Sequence, residues 1–266
     1  MENIKTLEQI KRPWVVAHRG YRGSYPENTL VAFEAAIMAN ADMIELDVSL
    51  TRDRIPVVIH DNTLDRTTNG SGPVSEHTLA ELKELDAGSW FSTKFSGEAI
   101  PTLEELLMSV KGRITVNIEI KPESFESPAV TDGIESQICE LVEKLEMGDS
   151  VLISSFEHFF FARIHRWYRN QGKSTLPKVA PLQEAPLSEE LALRLCSRQG
   201  AYSFHPDENF VTPSLIETLK ADGFRIFPYT INKEKRMEQL IQWGVTGIIS
   251  DEPELVWKVI RKLGVD

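Results

Sequence analysis

Short β-favouring runs recur along this chain with helical patterns between them, and that alternation restricts the fold more than any other feature of the sequence. The runs lie at residues 14–18, 43–50, 114–120, 151–154, 178–181, 201–204, 225–230 and 247–250. Apolar residues at helical spacing occupy 134–145, 187–197, 213–221, 235–243 and 255–263. A strand followed by a helix feeds a parallel neighbour, because the crossover returns the chain to its starting end. Eight such strands predict an α/β fold, a (β/α)8 TIM-type barrel. The rival is an open doubly wound sheet, but no glycine-rich phosphate loop follows the first strand. Asn28 is expected to cap the first helix, with Leu30, Phe33 and Ile37 on one face. A length of 266 residues suits a single catalytic domain over 1–266.

One interval breaks the rhythm. Residues 43–61, MIELDVSLTRDRIPVVIHD, hold two β-favouring runs joined only by Thr51–Arg54. That link is too short for a crossover, so the pair is predicted to fold back as an antiparallel hairpin. Alternation puts Ile44, Leu46 and Val48 on one face of the first strand, and Glu45 and Asp47 on the other. Turning at 52–54 returns His60 to roughly opposite Leu46, beside both acids. Taken alone, the stretch reads equally as a salt-bridged strand with a surface histidine or as a ligand site. Residues 62–113 then differ in character, with a turn cluster at Asn69–Pro73 and two capping boxes, Thr78-x-x-Glu81 and Thr102-x-x-Glu105. They are expected to form a small inserted subdomain capping the barrel mouth.

In such barrels the chemistry sits where strands end. His18 and Arg19 close the first strand, Glu45 and Asp47 come late in the second, and Asn117, Glu119 and Lys121 share a face near 114–120. Glu45, Asp47 and Glu119 form an all-oxygen set that suits Mg²⁺ or Ca²⁺ rather than zinc. Three carboxylates around a dication leave a residual charge of about −1, so a phosphate also needs Arg19 and Lys121. His18 and His60 stand as candidate acid and base. Metal, basic clamp and two histidines describe phosphoryl transfer better than glycoside or acyl chemistry.

The net charge of −11 argues against a nucleic-acid backbone or an anionic membrane as partner. Cys139 and Cys196 are two isolated thiols, as expected in a reducing compartment without a disulfide framework. The stretch MENIKTLEQIKRPW lacks a signal-peptide core, and no run reaches membrane-spanning length, so a cytoplasmic location is expected. The expected partner is a small-molecule phosphodiester, with no membrane anchor; monomer and dimer stand equally open. His77, His158 and His165 are expected at helix surfaces or caps, whereas His205 at the seventh strand stays a candidate for the mouth. Phe159–Phe161 cannot all face one core, so they either pack around the barrel or meet an acyl chain. Trp90, Phe91 and Phe95 either fasten the insertion to the barrel, the preferred reading, or close over the substrate.

Eight motifs occur in sequence: HRG at 18–20, PENT at 26–29, ELDV at 45–48, VVIHD at 57–61, EIK at 119–121, SSF at 154–156, YTIN at 229–232 and SDEP at 250–253. In their order the chain resembles the glycerophosphodiester phosphodiesterases along essentially its whole length, including DNTLDRTTNG and LDAGSWF in the insertion. Phosphatidylinositol phospholipases C and spider sphingomyelinases D share the barrel and look more distant. The resemblance implies hydrolysis of a glycerophosphodiester, such as glycerophosphocholine or glycerophosphoethanolamine, to glycerol 3-phosphate and an alcohol. It implies Glu45, Asp47 and Glu119 as metal ligands, His18 and His60 as general acid and base, and Arg19 and Lys121 on phosphate oxygens. Phe156 and Tyr229 would line the substrate. Three positions depart from the family pattern: Arg54 stands where the hairpin turn usually has glycine, Tyr229 replaces a tryptophan, and Ser250 begins the TDxP motif. Two other functions remain for comparison, a lysophospholipase D and a non-catalytic barrel that binds a phosphate metabolite.

Overall fold

Strands covered on both faces need apolar residues without alternation, and the barrel strands are buried along nearly their whole length. The computed structural model describes residues 11–127 and 130–266; the N-terminal stretch read for a signal peptide falls mostly outside them. Its parallel strands are β1 (Trp14–Ala17), β2 (Met43–Leu50), β4 (Thr115–Ile120), β5 (Val151–Ser155), β6 (Lys178–Gln183), β7 (Ser203–Pro206), β8 (Arg225–Ile226) and β9 (Gly247–Ser250), with β3 (Pro56–Val58) antiparallel to β2. The pairing order is β8-β7-β6-β5-β4-β2-β1-β9, with β3 off the path. The remaining seam is bridged by the Thr246 amide on the Ile226 carbonyl at 3.0 Å and the Ile249 amide on the Pro228 carbonyl at 3.1 Å. The eight parallel strands therefore make a nearly closed barrel with alternating helices, as predicted. β8 is shorter than the run 225–230, and Pro228, which has no N–H to donate, lies in its continuation.

Alternation sorts the strand residues between two cores. Ile44, Leu46, Val48, Val116, Ile118 and Ile153 point outward to the helices. Inside the ring, Trp14, Val16, Met43, Leu152, Ala180, Phe227 and Ile249 fill the lower barrel. A Cβ on Gly247 would come within 2.6 Å of the Trp14 Cβ and 2.7 Å of the Phe227 ring, so this glycine makes room for both inward side chains.

The first helix, α1 (Leu30–Met38), corrects one expectation. Its N-cap is Thr29, whose backbone is extended and whose hydroxyl accepts from the Ala32 amide. Asn28 instead adopts a left-handed φ of 58°, which asparagine tolerates better than most residues, and its side chain turns away from the helix. The buried face is Ala32, Phe33, Ala35 and Ala36, while Leu30 is exposed.

The hairpin forms in the expected register, Val48 opposite Val58, with the Ile59 amide on the Asp47 carbonyl at 3.0 Å. Extending that register sets His60 opposite Leu46. Arg54 carries the left-handed turn at φ 64° and holds it through ion pairs to Glu126 and Asp132 at 2.9 Å. Both capping boxes form, on α2 (Leu79–Lys83) and α3 (Leu103–Val110). Residues 62–113 divide by packing. Leu64, Val74, Leu82, Ala87 and Ile100 share a small core with Val57 and Ile59, whereas Leu103, Leu106, Leu107 and Val110 of α3 join the barrel core. Because Val57 pairs with Ser49, the small core lies on the hairpin face that Asp47 and Ser49 share.

Aromatic rings run from the insertion to the loop after β1: Trp90 on Phe91, Phe91 on Phe95, Phe95 on Tyr25 and Tyr25 on Tyr21, with centroids 5.4–5.8 Å apart. They fasten the insertion to the barrel, the preferred reading. Phe160 and Phe161 are buried and Phe159 is exposed. Both cysteines are buried free thiols, and no described helix is long and apolar enough to cross a membrane.

Candidate active site

The inward faces of β1 and β2 change from apolar to charged as each strand nears the mouth, and the inward face of β4 is polar throughout, Thr115, Asn117 and then Glu119. The parallel register pairs Glu45 with Asn117 and Asp47 with Glu119, which stacks the acids of two neighbouring strands at one level. Ligand oxygens of Glu45, Asp47 and Glu119 lie within 4.8 Å of one another, and all three residues are buried. Arg19 approaches over a left-handed turn (φ 53°) followed by Gly20, where a Cβ would sit 2.7 Å from the Ala32 backbone. This turn aims the Arg19 amide at Glu45 Oε2 (2.9 Å) and brings its Nε within ion-pair distance of Asp47 Oδ2 (3.3 Å) without a hydrogen bond. Lys121 Nζ lies 3.0 Å from Glu119 Oε1 and 3.7 Å from Asp47 Oδ1. Asn28 donates to Asp47 Oδ2 at 3.0 Å.

Burial and proximity divide the acids. Glu45 is pushed well above the usual carboxylate range by burial and then by Asp47 and Glu119. Glu119 is pushed up to about 7 by burial and the Asp47 charge, against Lys121. Asp47 ends below its ordinary value, because Arg19, Lys121 and the bond from Asn28 outweigh its burial. Glu45 Oε1 is buried without a hydrogen-bond partner. A set of three hard oxygen donors, one of them unsatisfied and two reluctant to ionise, fits a hard divalent cation.

The two histidines flank this set in matching fashion. His18 Nδ1 meets Asp251 Oδ1 at 2.7 Å, and His60 Nδ1 meets Asp61 Oδ1 at 2.6 Å. An ionised carboxylate only accepts, so each Nδ1 carries the proton and each Nε2 is left for the site. His18 Nε2 lies 3.9 Å from Glu45 Oε2. Burial lowers both imidazoles below the ordinary histidine value, overcoming the carboxylates that raise them. Each orienting carboxylate is itself held. Asp251 accepts from Asn232 Nδ2 at 2.7 Å, and Asp61 from Arg66 Nε at 2.7 Å. The Arg66 bond is the main cause holding the Asp61 carboxyl down to about 2.

Glu27 ties the two sides together. Its buried carboxylate accepts from Arg19, Arg22 and Arg66 at 2.7–2.9 Å, and these cations overcome its burial to hold it well below the usual range. One ionic chain thus runs from His60 through Asp61, Arg66 and Glu27 to Arg19. Across the mouth, the Phe156 and Tyr229 rings meet edge to face, centroids 5.9 Å apart.

Glu45, Asp47, Glu119, Arg19, Lys121, His18 and His60 are therefore gathered into one cluster, with Phe156 and Tyr229 paired in a second. His205 does not join the mouth. It is buried inside the ring against Phe227, bonded to Ser203, with its pKa lowered to about 3 by burial. His158 stands at the head of its helix, bonded to the Leu182 carbonyl, and His77 bonds the Pro73 carbonyl. Residue-by-residue reading missed Glu27, Asn28, Asp61, Arg66, Asn232 and Asp251 as parts of the site. Five of the six lie within the motifs PENT, VVIHD, YTIN and SDEP, so the signal was present.

Comparison with known proteins adds an independent line. The model of the glycerophosphoryl diester phosphodiesterase family matches residues 18–255. A glycerophosphodiester phosphodiesterase of Caldanaerobacter subterraneus is 41% identical over 251 residues, 94% of this chain and 98% of that protein. One from Bacillus altitudinis is 37% identical over 94% of this chain and 98% of its own length. Among solved structures, an Oleispira antarctica phosphodiesterase in complex with the product sn-glycerol-3-phosphate superposes with a TM-score of 0.79 at 28% identity, covering 94% of this chain and 97% of that one. The Agrobacterium tumefaciens glycerophosphodiester phosphodiesterase gives 0.77 at 28% identity, with 92% and 98% covered.

Proposed function

The chain belongs to the glycerophosphoryl diester phosphodiesterase family, phosphoric diester hydrolases, and from that premise we propose a metal-dependent reaction in which His18 and His60 move the protons. The substrate is a glycerophosphodiester such as glycerophosphocholine or glycerophosphoethanolamine, and the products are glycerol 3-phosphate and the free alcohol. We take the whole barrel as one catalytic unit with 62–113 as its insertion, of which α3 packs as a barrel helix.

Glu45, Asp47 and Glu119 would hold a divalent cation, Mg²⁺ or Ca²⁺, which would supply positive charge to the phosphoryl group as negative charge builds there. Arg19 and Lys121 face the same space and orient the remaining phosphate oxygens. One imidazole accepts the proton of the attacking hydroxyl at Nε2; the other, which must enter protonated on both nitrogens, delivers its Nε2 proton to the departing alkoxide. Asp251 and Asp61 fix each ring's tautomer and orientation and stabilise its protonated form. Phe156 and Tyr229 pack against the glycerol carbons.

The observation that carries this reading is the pair of carboxylate-anchored imidazoles beside one buried three-acid set. The test is glycerol 3-phosphate release from glycerophosphocholine in EDTA, then with Mg²⁺ or Ca²⁺ restored. Activity should vanish and return, and the faster ion nominates the cofactor. Turnover indifferent to chelation in metal-free protein would sink the assignment of the acids. Lysophosphatidylcholine run in parallel tests the lysophospholipase D alternative, and phosphorus NMR for a cyclic phosphate separates attack by the glycerol hydroxyl from attack by water.

A further inference from the structure

Where the insertion meets the barrel, beside His60, lies a small recess that the reaction described above does not use. Its walls come from three places: Glu27–Thr29 in the loop after β1, Val58–His60 of the hairpin, and Thr67, Ala87 and Ile100 of the insertion. The recess has room for about one water molecule. Three polar side chains on these walls are already engaged. Both Glu27 oxygens accept from arginines, and His60 Nδ1 is bonded to Asp61. The Thr29 hydroxyl donates to the Pro26 carbonyl at 2.7 Å and accepts from the Ala32 amide. Two polar atoms remain. Asn28 is only 4% exposed; its Nδ2 donates to Asp47 Oδ2, and its Oδ1 is buried without a hydrogen-bond partner. The Thr67 hydroxyl, on the insertion side, has no hydrogen bond among the described residues.

We propose that the recess binds one ordered water, which donates to Asn28 Oδ1 and accepts from the Thr67 hydroxyl, and that Thr67 is thereby a positioning residue for Asp47. The role for Thr67 rests on the metal reading of the three acids above. Asn28 cannot exchange the two ends of its amide, because turning Oδ1 toward Asp47 would set acceptor against acceptor. Its left-handed backbone, with the Asn28 amide on the Arg19 carbonyl at 3.0 Å, fixes where the side chain begins. Oδ1 therefore has to find its donor on the side away from Asp47, and a bridging water serves nearly as well as a direct hydrogen bond. With that donor in place the amide keeps Nδ2 on Asp47 Oδ2, and the carboxylate holds one orientation toward a cation. The insertion thus reaches the metal side of the site by a contact separate from the grip of Arg66 on Asp61.

A crystal structure of the full chain, at a resolution that orders buried water, tests the site directly. Density within about 3.2 Å of both Asn28 Oδ1 and Thr67 Oγ1 is expected. A recess without it, or a water bonded to only one of the two, overturns the proposal. Calorimetric titration with Mg²⁺ or Ca²⁺ alone tests the role of Thr67. Thr67→Val keeps the shape of the side chain and removes the hydroxyl. It should weaken metal binding by about three- to tenfold, less than the loss of a residue that touches a metal ligand directly. Thr67→Ser keeps the hydroxyl and should stay within about twofold of wild type. Unchanged affinity in Thr67→Val, or an equal loss in Thr67→Ser, overturns the positioning role while leaving the metal reading intact. Wild-type protein that binds neither ion overturns the metal reading and this role together, and the density still decides the water.

Discussion

Glu45→Gln should make the metal-free protein more stable while abolishing its activity. Three carboxylates whose ligand oxygens lie within 4.8 Å repel one another. At that separation one pair of unit charges costs about 3 kcal/mol at an effective dielectric constant near 20. Glu45 has two such neighbours, partly offset by Arg19, so the net relief on removing its charge is about 1–3 kcal/mol. The amide loses little, since its oxygen still accepts from the Arg19 N–H and its NH₂ replaces the unpartnered Oε1. For a chain of this size the gain corresponds to a Tm rise of roughly 3–8 °C.

The sign with pH follows from the raised carboxyl. Well below the ordinary value of 4.5, Glu45 is protonated whether the chain is folded or not, and variant and wild type should agree. As pH climbs past that value the unfolded chain ionises first, wild type loses ground, and the advantage of Glu45→Gln grows until the folded carboxyl ionises as well. Thermal unfolding by circular dichroism in EDTA, from pH 5 to pH 8, measures this. Adding Mg²⁺ or Ca²⁺ should reverse the order, because wild type gains binding free energy that the variant has lost. A variant less stable than wild type in EDTA at pH 8 would refute the reasoning.

His18→Ala and His60→Ala should each lower kcat by about 10²–10⁴ with far-ultraviolet dichroism unchanged, and near-full turnover in either would remove that residue from proton transfer. Arg54→Gly should change stability by less than about 1 kcal/mol, since relief of the left-handed turn offsets half-exposed ion pairs, whereas Arg54→Ala keeps the strain and should lose about 1–2 kcal/mol in urea denaturation. Phe95→Ala removes the ring that joins the insertion to Tyr25 and should cost about 3–5 kcal/mol, with faster proteolytic cleavage between residues 62 and 102.

The strand and helix alternation was legible because burial on both faces leaves continuous apolar runs, and the hairpin register because a four-residue link permits only one topology. The acids were legible for the opposite reason, as charges on the inward face of strands that otherwise fill a core. The residues of the network around them lie in the motifs, but which of them pair was not legible. Glu27 and Arg66 are 39 residues apart, as Asp251 and His18 are 233 apart, and no local pattern ties such partners. Asn28 resembled a helix cap because asparagine serves both at caps and in left-handed turns; only the Asp47 contact decides between them. The periodicity of α3 is the same whether it packs on an insertion or on the barrel, so its place in the barrel core depended on the fold.

The two imidazoles belong to units that hold together separately. His18 ends a strand inside the ring, while His60 follows a strand off the ring whose Val57 and Ile59 are packed by the insertion and whose anchor, Asp61, is gripped by the insertion's Arg66. Opening of residues 62–102 would expose a small apolar core and leave intact both the core under the barrel helices and the one inside the ring. Such a molecule keeps its fold, its three acids and His18, yet lacks one of the two imidazoles proposed to move protons. Activity then reports on the weaker of two cooperative units, and heat or denaturant should extinguish turnover before the barrel melts.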